Sequence, residues 1–248
     1  MSIIYILWLR QVKRYSRSRA RMIGSLAQPL LFLFAMGFGF GPTYQKAGNG
    51  SYIQFLAPGI VAMAILFSAV FSGIEILWDR QFGFLKETLV APVSRMQIMI
   101  GRTLGGATVA IIQGSLILVI CLVAGFRPHS WIAIPTAFLF VVMIAVVFAA
   151  LGTALGSAIK DMQGFQLVMN FLVLPLFFLS GALFPLANLP PVMAFITRLD
   201  PLTYGVDGLR GALINVWHFN AATDISVLAM IAAVFVSAGA YLFSKIEA

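Results

Sequence analysis

FLAPGIVAMAILFSAVFSGIEIL, residues 55–77, is a run in which Glu75 is the sole charged side chain. A helix rises about 1.5 Å per residue and the hydrocarbon core of a bilayer is about 30 Å thick, so a run of this length can cross a membrane. Its apolar residues are continuous rather than alternating, which argues against a barrel strand. Working outward, windows of the same kind occupy residues 22–40, 97–124, 131–156, 166–184 and 225–243. The 248 residues are 61% hydrophobic and 10% charged, with a mean hydropathy of +0.99, and cannot supply the charged surface of a soluble domain. The pattern predicts an all-α membrane protein with six transmembrane helices, organised as one transmembrane domain over residues 1–248.

Charge sets the expected orientation, because Lys and Arg in short loops favour the cytoplasm. With the N-terminus inside, Lys46, Arg127, Arg198 and Arg210 fall outside, and the rest of the 16 Lys and Arg fall inside. Both termini are then cytoplasmic, in a plasma membrane, which in a Gram-negative cell is the inner membrane. The net charge of +8 is mainly this topology signal, with attraction to anionic lipid headgroups second. The first window follows a long basic segment and lacks a cleavage region, so it is expected to stay in the mature chain. Nucleic acid is not an expected partner, because the basic residues sit at membrane edges without interleaved stacking aromatics.

Cys121 has no cysteine to pair with and reads as a packing residue. His129 and His218 lie in different segments without metal-ligand spacing, so no metal site and no catalytic residue is expected. No Gly-Lys pair is present, and a Walker A loop needs one to cradle phosphates. HExxH and GxSxG are also missing.

The interruptions between windows carry the functional signals. WDRQFGFLKETLVAPVSR, residues 78–95, joins the second and third windows on the cytoplasmic side. Residues 79–90 can make roughly three helical turns, with Phe82, Leu85 and Leu89 on one side, Lys86 and Glu87 elsewhere, and Pro92 as the stop. Ser94 and Gln97 have capping-box spacing and start the next helix. A short amphipathic helix of this kind suits a groove on another protein; an ordinary loop at headgroup level is the plainer reading. In residues 1–21, Ile4, Trp8, Val12 and Tyr15 recur at helical spacing, with Arg10, Lys13, Arg14, Arg17 and Arg21 on another face. This predicts an amphipathic helix in the cytoplasmic headgroup layer with Trp8 at the interface.

Residues 185–223 are too apolar for a solvated loop and too broken by Pro185, Pro190, Pro191 and Pro201 for one span. They are expected to fold back into the outer leaflet as one or two short helices, with Asp207 and Arg210 spaced to pair. Glu75 is expected to face an interior or the aqueous edge beside Arg80 or Arg102. No second carboxylate falls inside another window, which weighs against a proton relay. Gly101 with Gly105, and Gly152 with Gly156, permit close helix contact. Pro29 and Pro175 are expected to kink their spans, and MGFGFGP, residues 36–42, to unravel the outer end of the first.

GIEILWDRQFGFLKETLVAPVSRMQIMIGRTLGG (73–106), FLSGALFPLANLP (178–190) and LDPLTYGVDGLRG (199–211), in this order, resemble the membrane subunit of type 2 ABC exporters, most closely the drug-resistance and nodulation-factor branch. The resemblance covers essentially the whole chain. It implies a homodimeric permease that moves an amphipathic or hydrophobic cargo (drug, lipid or glycolipid) outward. It also implies a cognate ABC ATPase in two copies, which carries the ATP and Mg, with no cofactor on this chain. Residues 79–91 are then the coupling helix, with Phe82, Phe84, Leu85, Lys86, Glu87 and Leu89 meeting the ATPase. Residues 1–21 are the interface helix, carrying Trp8, Arg10, Lys13, Arg14 and Arg17. Glu75, Pro185, Thr203, Tyr204, Asp207 and Arg210 are the gate candidates. The alternative is an ion-coupled secondary transporter without an ATPase; it calls for internal repeats, and residues 1–124 and 125–248 show no such symmetry.

Overall fold

Within a bilayer every backbone N–H and C=O must be satisfied inside the chain, so apolar runs of spanning length close into helices. The computed structural model describes residues 2–46, 51–84, 93–186 and 189–245, with no strand among them. The helices are α1 (Ile3–Arg17), α2 (Arg19–Lys46), α3 (Tyr52–Phe71), α4 (Ile74–Gln81) and α5 (Arg95–Val123). They continue as α6 (Ile134–Ala158), α7 (Met162–Leu179), α8 (Pro191–Leu199), α9 (Pro201–Ile214) and α10 (Ala221–Ser244). Among the described residues, six segments are long and apolar enough to cross a membrane: Met22–Lys46, Tyr52–Gln81, Arg95–Val123, Trp131–Ala158, Met162–Leu179 and Ala221–Ser244.

The second span, α3 continued by α4, is the axis of the bundle. Leu56, Ile60, Met63 and Leu66 are fully buried there, because α2, α5, α6, α7 and α9 all pack around it. At the joint between α3 and α4 the chain presses Gly73 onto Gly152 of α6, where an added Cβ would collide with the Gly152 carbonyl. Gly156 rests in turn on Gly73, so the Gly152 and Gly156 pair holds two spans of one chain together.

The helix ends differ from expectation in two places. Residues 36–42 do not unravel: α2 runs on to Lys46 with Pro42 inside it. A Cβ added to Gly37 there would touch Ile53, and Tyr44 and Phe40 lie 5.0 and 6.3 Å from the Tyr52 ring. Packing against α3 outweighs the low helix propensity of the three glycines. The fifth span stops at Leu179, short of 184, and Gly181 follows with φ 74°, a left-handed turn that no helix continues through.

Residues 185–223 contain the two short helices α8 and α9. Between them Asp200 caps α9: its Oδ1 accepts the Leu202 N–H at 2.8 Å, with Pro201 in the first helical position. Helix α9 is buried along most of its length against α3, α6 and α10.

Candidate functional site

Helix α1 starts at Ser2, whose Oγ accepts the Tyr5 N–H at 3.4 Å. Its buried residues are Leu7, Gln11 and Tyr15, and they lie along α5. Ile4 and Leu7 meet Gly101, Gln11 meets Gly105, the Trp8 indole donates to Thr108 Oγ1 at 2.9 Å, and Gln113 bonds the Tyr15 hydroxyl at 2.6 Å. The two helices therefore run parallel. The covered face centres on Leu7, Gln11 and Tyr15, with Ile4, Trp8 and Val12 half-buried at its edges, and it is taken by protein instead of lying free among headgroups. The side-chain-free flanks at Gly101 and Gly105 are what let α1 approach so closely.

This docking carries Arg10 and Arg14 over the seam between α4 and α5. Asp79, 2% exposed, accepts from Arg10 Nη2 at 2.6 Å through Oδ1 and from Arg102 Nη2 at 2.7 Å through Oδ2. Arg14 lies 3.7 Å from Asp79 Oδ1 and 3.6 Å from Glu75 Oε2. Arg102 and Glu75 are buried as well. Glu75 thus stands beside Arg14, while Arg80 turns away to the carbonyls of Ile159 and Ser157 at 2.7 and 3.1 Å, closing the C-terminal end of α6. A buried carboxylate needs such partners, since an uncompensated buried charge costs several kcal/mol. The cluster ties three elements to one acidic residue.

The segment expected to be one helix from residue 79 has a different beginning. Asp79, Arg80 and Gln81 finish α4, and Gly83, at φ 81°, breaks the chain direction just after it. Phe82 and Phe84 follow as exposed rings, and the Arg10 guanidinium stands 5.6 Å over the Phe84 ring. Leu85, Lys86, Glu87 and Leu89 lie outside the described residues. Helix α5 then opens as its sequence predicts: Ser94 Oγ accepts the Gln97 N–H at 3.2 Å and Gln97 Oε1 accepts the Ser94 N–H at 3.3 Å. Lys13 and Arg17 stay exposed and continue the basic face begun by Arg10 and Arg14.

The other gate candidates gather at the opposite end of the bundle. Thr203 is fully buried, and its hydroxyl has no partner among the described residues. The Tyr204 hydroxyl donates to the Arg198 carbonyl at 2.8 Å, and its ring stacks on Phe219 at 5.0 Å. Asp207 and Arg210 do not pair among the described residues. Asp207 accepts the N–H groups of His218 and Phe219, each at 2.8 Å, and Arg210 donates to the Gly181 carbonyl at 3.1 Å with its guanidinium 4.0 Å over the Phe55 ring. Each has a closer partner than the ion pair would provide. Burial pushes the Asp200 carboxyl up to about 8. Pro185 lines a separate groove of about 400 Å³ with Phe40, Tyr44 and Tyr52.

Two acidic residues escaped the sequence reading. Asp224 lies in the first turn of α10, one residue ahead of the window assigned there, and is fully buried. This corrects the expectation of no second buried carboxylate in a span. The cue was Asn220, whose Oδ1 caps the Thr223 N–H at 2.8 Å and so starts the helix early enough to include Asp224. Asp79, expected to open the coupling helix, lies in the last turn of α4 instead. Its cue was a pair of pairs, Glu75 with Asp79 and Arg10 with Arg14, each one helical turn apart. Among the described residues no group of three or more His, Cys, Asp or Glu could hold a metal ion.

With this geometry in view, comparison with known proteins is decisive. The family model described as ABC-2 type transporter matches residues 3–214. The chain belongs to the ABC-2 type transporter family. Its relatives include Nodulation protein J of Sinorhizobium fredii, 27% identical over 94% of this chain and 90% of that protein. The transport permease ycf38 of Porphyra purpurea is 32% identical over 93% of this chain and 83% of its own length. The inner membrane transport permease YadH of Escherichia coli is 26% identical over 92% and 90% respectively. The ABC-2 permease described here is accordingly a multi-pass membrane protein of transport type.

Proposed function

We propose that this ABC-2 permease is the membrane half of an ATP-driven exporter that moves an amphipathic or hydrophobic cargo out of the cytoplasm. In this reading it is a homodimer served by two copies of a separate ABC ATPase, which binds the ATP and Mg and performs the hydrolysis. The protein sits in the plasma membrane, with both termini on the cytoplasmic side. Phe82, Phe84, Leu85, Lys86, Glu87 and Leu89 meet the ATPase. Trp8, Arg10, Lys13, Arg14 and Arg17 form the flank beside it, and Pro185, Thr203, Tyr204, Asp207 and Arg210 shape the outer exit.

The observation that carries the reading is the Asp79 cluster. It stands at the root of the segment that faces the partner, and through Arg10 and Arg102 it binds that root to α1 and to the third span. A push on Phe82 and Phe84 is therefore shared by three elements. Two nucleotide states that contact the segment differently would bias two arrangements of the bundle, which is the requirement for coupling. Glu75 belongs with this inner cluster and acts in coupling instead of gating the exit. The test is the ratio of cargo exported to ATP hydrolysed by the reconstituted complex. Leu85→Pro, and the joint change Lys86→Ala with Glu87→Ala, lower that ratio while membrane insertion and ATPase binding of nucleotide persist. An unchanged ratio in the proline variant removes residues 85–92 from the mechanism.

A further inference from the structure

A second site lies outward of the charge cluster, between α1, α2, α3 and α5. It is a pocket of about 160 Å³ whose hydrogen-bonding lining is Tyr15, Ser25, Gln28, Ser68 and Gln113, with Phe67 and Phe71 forming an aromatic wall. Gln113 stands eleven residues past Arg102 on α5, about 16 Å further outward, which is within the inner half of a hydrocarbon core about 30 Å thick. Ser25 and Gln28 on α2 are exposed, so the pocket opens sideways past the first span.

A row of uncharged polar groups at this depth calls for an occupant. Gln113 is 1% exposed; its Nε2 donates to the hydroxyls of Tyr15 and Ser25, and its Oε1 has no partner among the described residues. A buried amide oxygen left alone is destabilising, and a donor from a ligand would remove that cost. The lining holds no Lys, Arg, Asp or Glu, so a charged head group would meet no counter-charge there. An amide and hydroxyls both donate and accept, and they match a group that does the same. The size is also restrictive, since a cavity of roughly 150 Å³ admits one benzene ring.

We infer that this pocket is the entry subsite for the uncharged, hydroxyl-bearing head group of the cargo, one ring in size, whose apolar tail remains in lipid beside Phe67 and Phe71. The inference rests on the exporter reading only for the direction of travel.

The test is equilibrium binding to the permease alone in lipid nanodiscs, with radiolabelled octyl glucoside as probe and octyltrimethylammonium and free glucose as competitors. The expected result is saturable binding that neither competitor displaces at matched concentration. Gly24→Phe weakens it about tenfold, the scale of one or two lost hydrogen bonds. Gly24 lines the pocket, and a Cβ there meets nothing within 4 Å, so a side chain can start from this position without a backbone clash. Gln113→Leu gives a similar loss but also breaks the bonds to Tyr15 and Ser25, which makes Gly24→Phe the deciding variant. Affinity unchanged in Gly24→Phe, or equal displacement by octyltrimethylammonium or by glucose, overturns the assignment. Because no ATPase is present, failure of ATP-driven export would refute the exporter reading and leave this result standing. An active exporter without saturable octyl glucoside binding would refute the subsite alone.

Discussion

Asp79 offers two carboxylate oxygens, and they are claimed by arginines from different helices, Arg10 of α1 and Arg102 of α5. The two partners are not equivalent. The Arg102 side chain is 8% exposed and that of Arg10 is 36% exposed, so solvent screens the second contact far more than the first. Replacing Asp79 with alanine leaves Arg102 as an uncompensated buried charge, an expected loss of about 3–5 kcal/mol. Arg10→Ala is expected to cost about 1 kcal/mol or less. Unfolding of the purified protein in mixed detergent micelles orders the two variants. Equal losses would show that the cluster does not depend on burial. Functionally the two variants converge: Arg10→Ala, though mild for stability, disconnects α1 from the Phe84 side of the segment and, like Asp79→Ala, lowers export per ATP in the reconstituted complex.

At the scale of elements, the docking of α1 along α5 depends on two glycines one turn apart. Gly105→Leu would drive a side chain into Gln11 and lift α1 from the third span. The expected readout is rapid tryptic cleavage after Lys13 or Arg17 in the variant and slow cleavage in the parent. Equal cleavage rates would contradict the packing described. The spans themselves were legible in the sequence because hydrophobic length maps directly onto membrane thickness, and the Ser94 and Gln97 capping box was legible because it is a local hydrogen-bond exchange. What escaped reading depended on tertiary neighbours. The buried face of α1 is rotated from the most apolar one because Leu7 and Gln11 pack on Gly101 and Gly105 of α5. The glycines of residues 36–42 stay helical because Tyr52 packs beside them. Asp207 and Arg210 keep pairing distance along α9 yet bond elsewhere, which no spacing rule could reveal. The inner site was half visible: Arg10, Arg14 and Glu75 were singled out, but Asp79, which joins them, was assigned to the wrong helix.

For the whole molecule, charged chemistry is concentrated at the two ends of an apolar bundle. One end carries a charge cluster beside the segment proposed to meet the ATPase; the other carries α8, α9 and the buried Asp207 and Asp224. Between the two ends the second span is a packed apolar column from Leu56 to Leu66 with no carboxylate in it, so no chain of carboxylates joins Glu75 to Asp224 through it. That arrangement suits a body moved from one end, and it is a poor conduit for protons on their own. The most direct test is uphill export of a labelled amphipath from proteoliposomes holding the purified permease, with and without its ABC ATPase and ATP. The account predicts accumulation against the gradient only when the ATPase and ATP are both present, and its loss in Leu85→Pro. Uphill movement by the permease alone, driven by an imposed proton or sodium gradient, would contradict it.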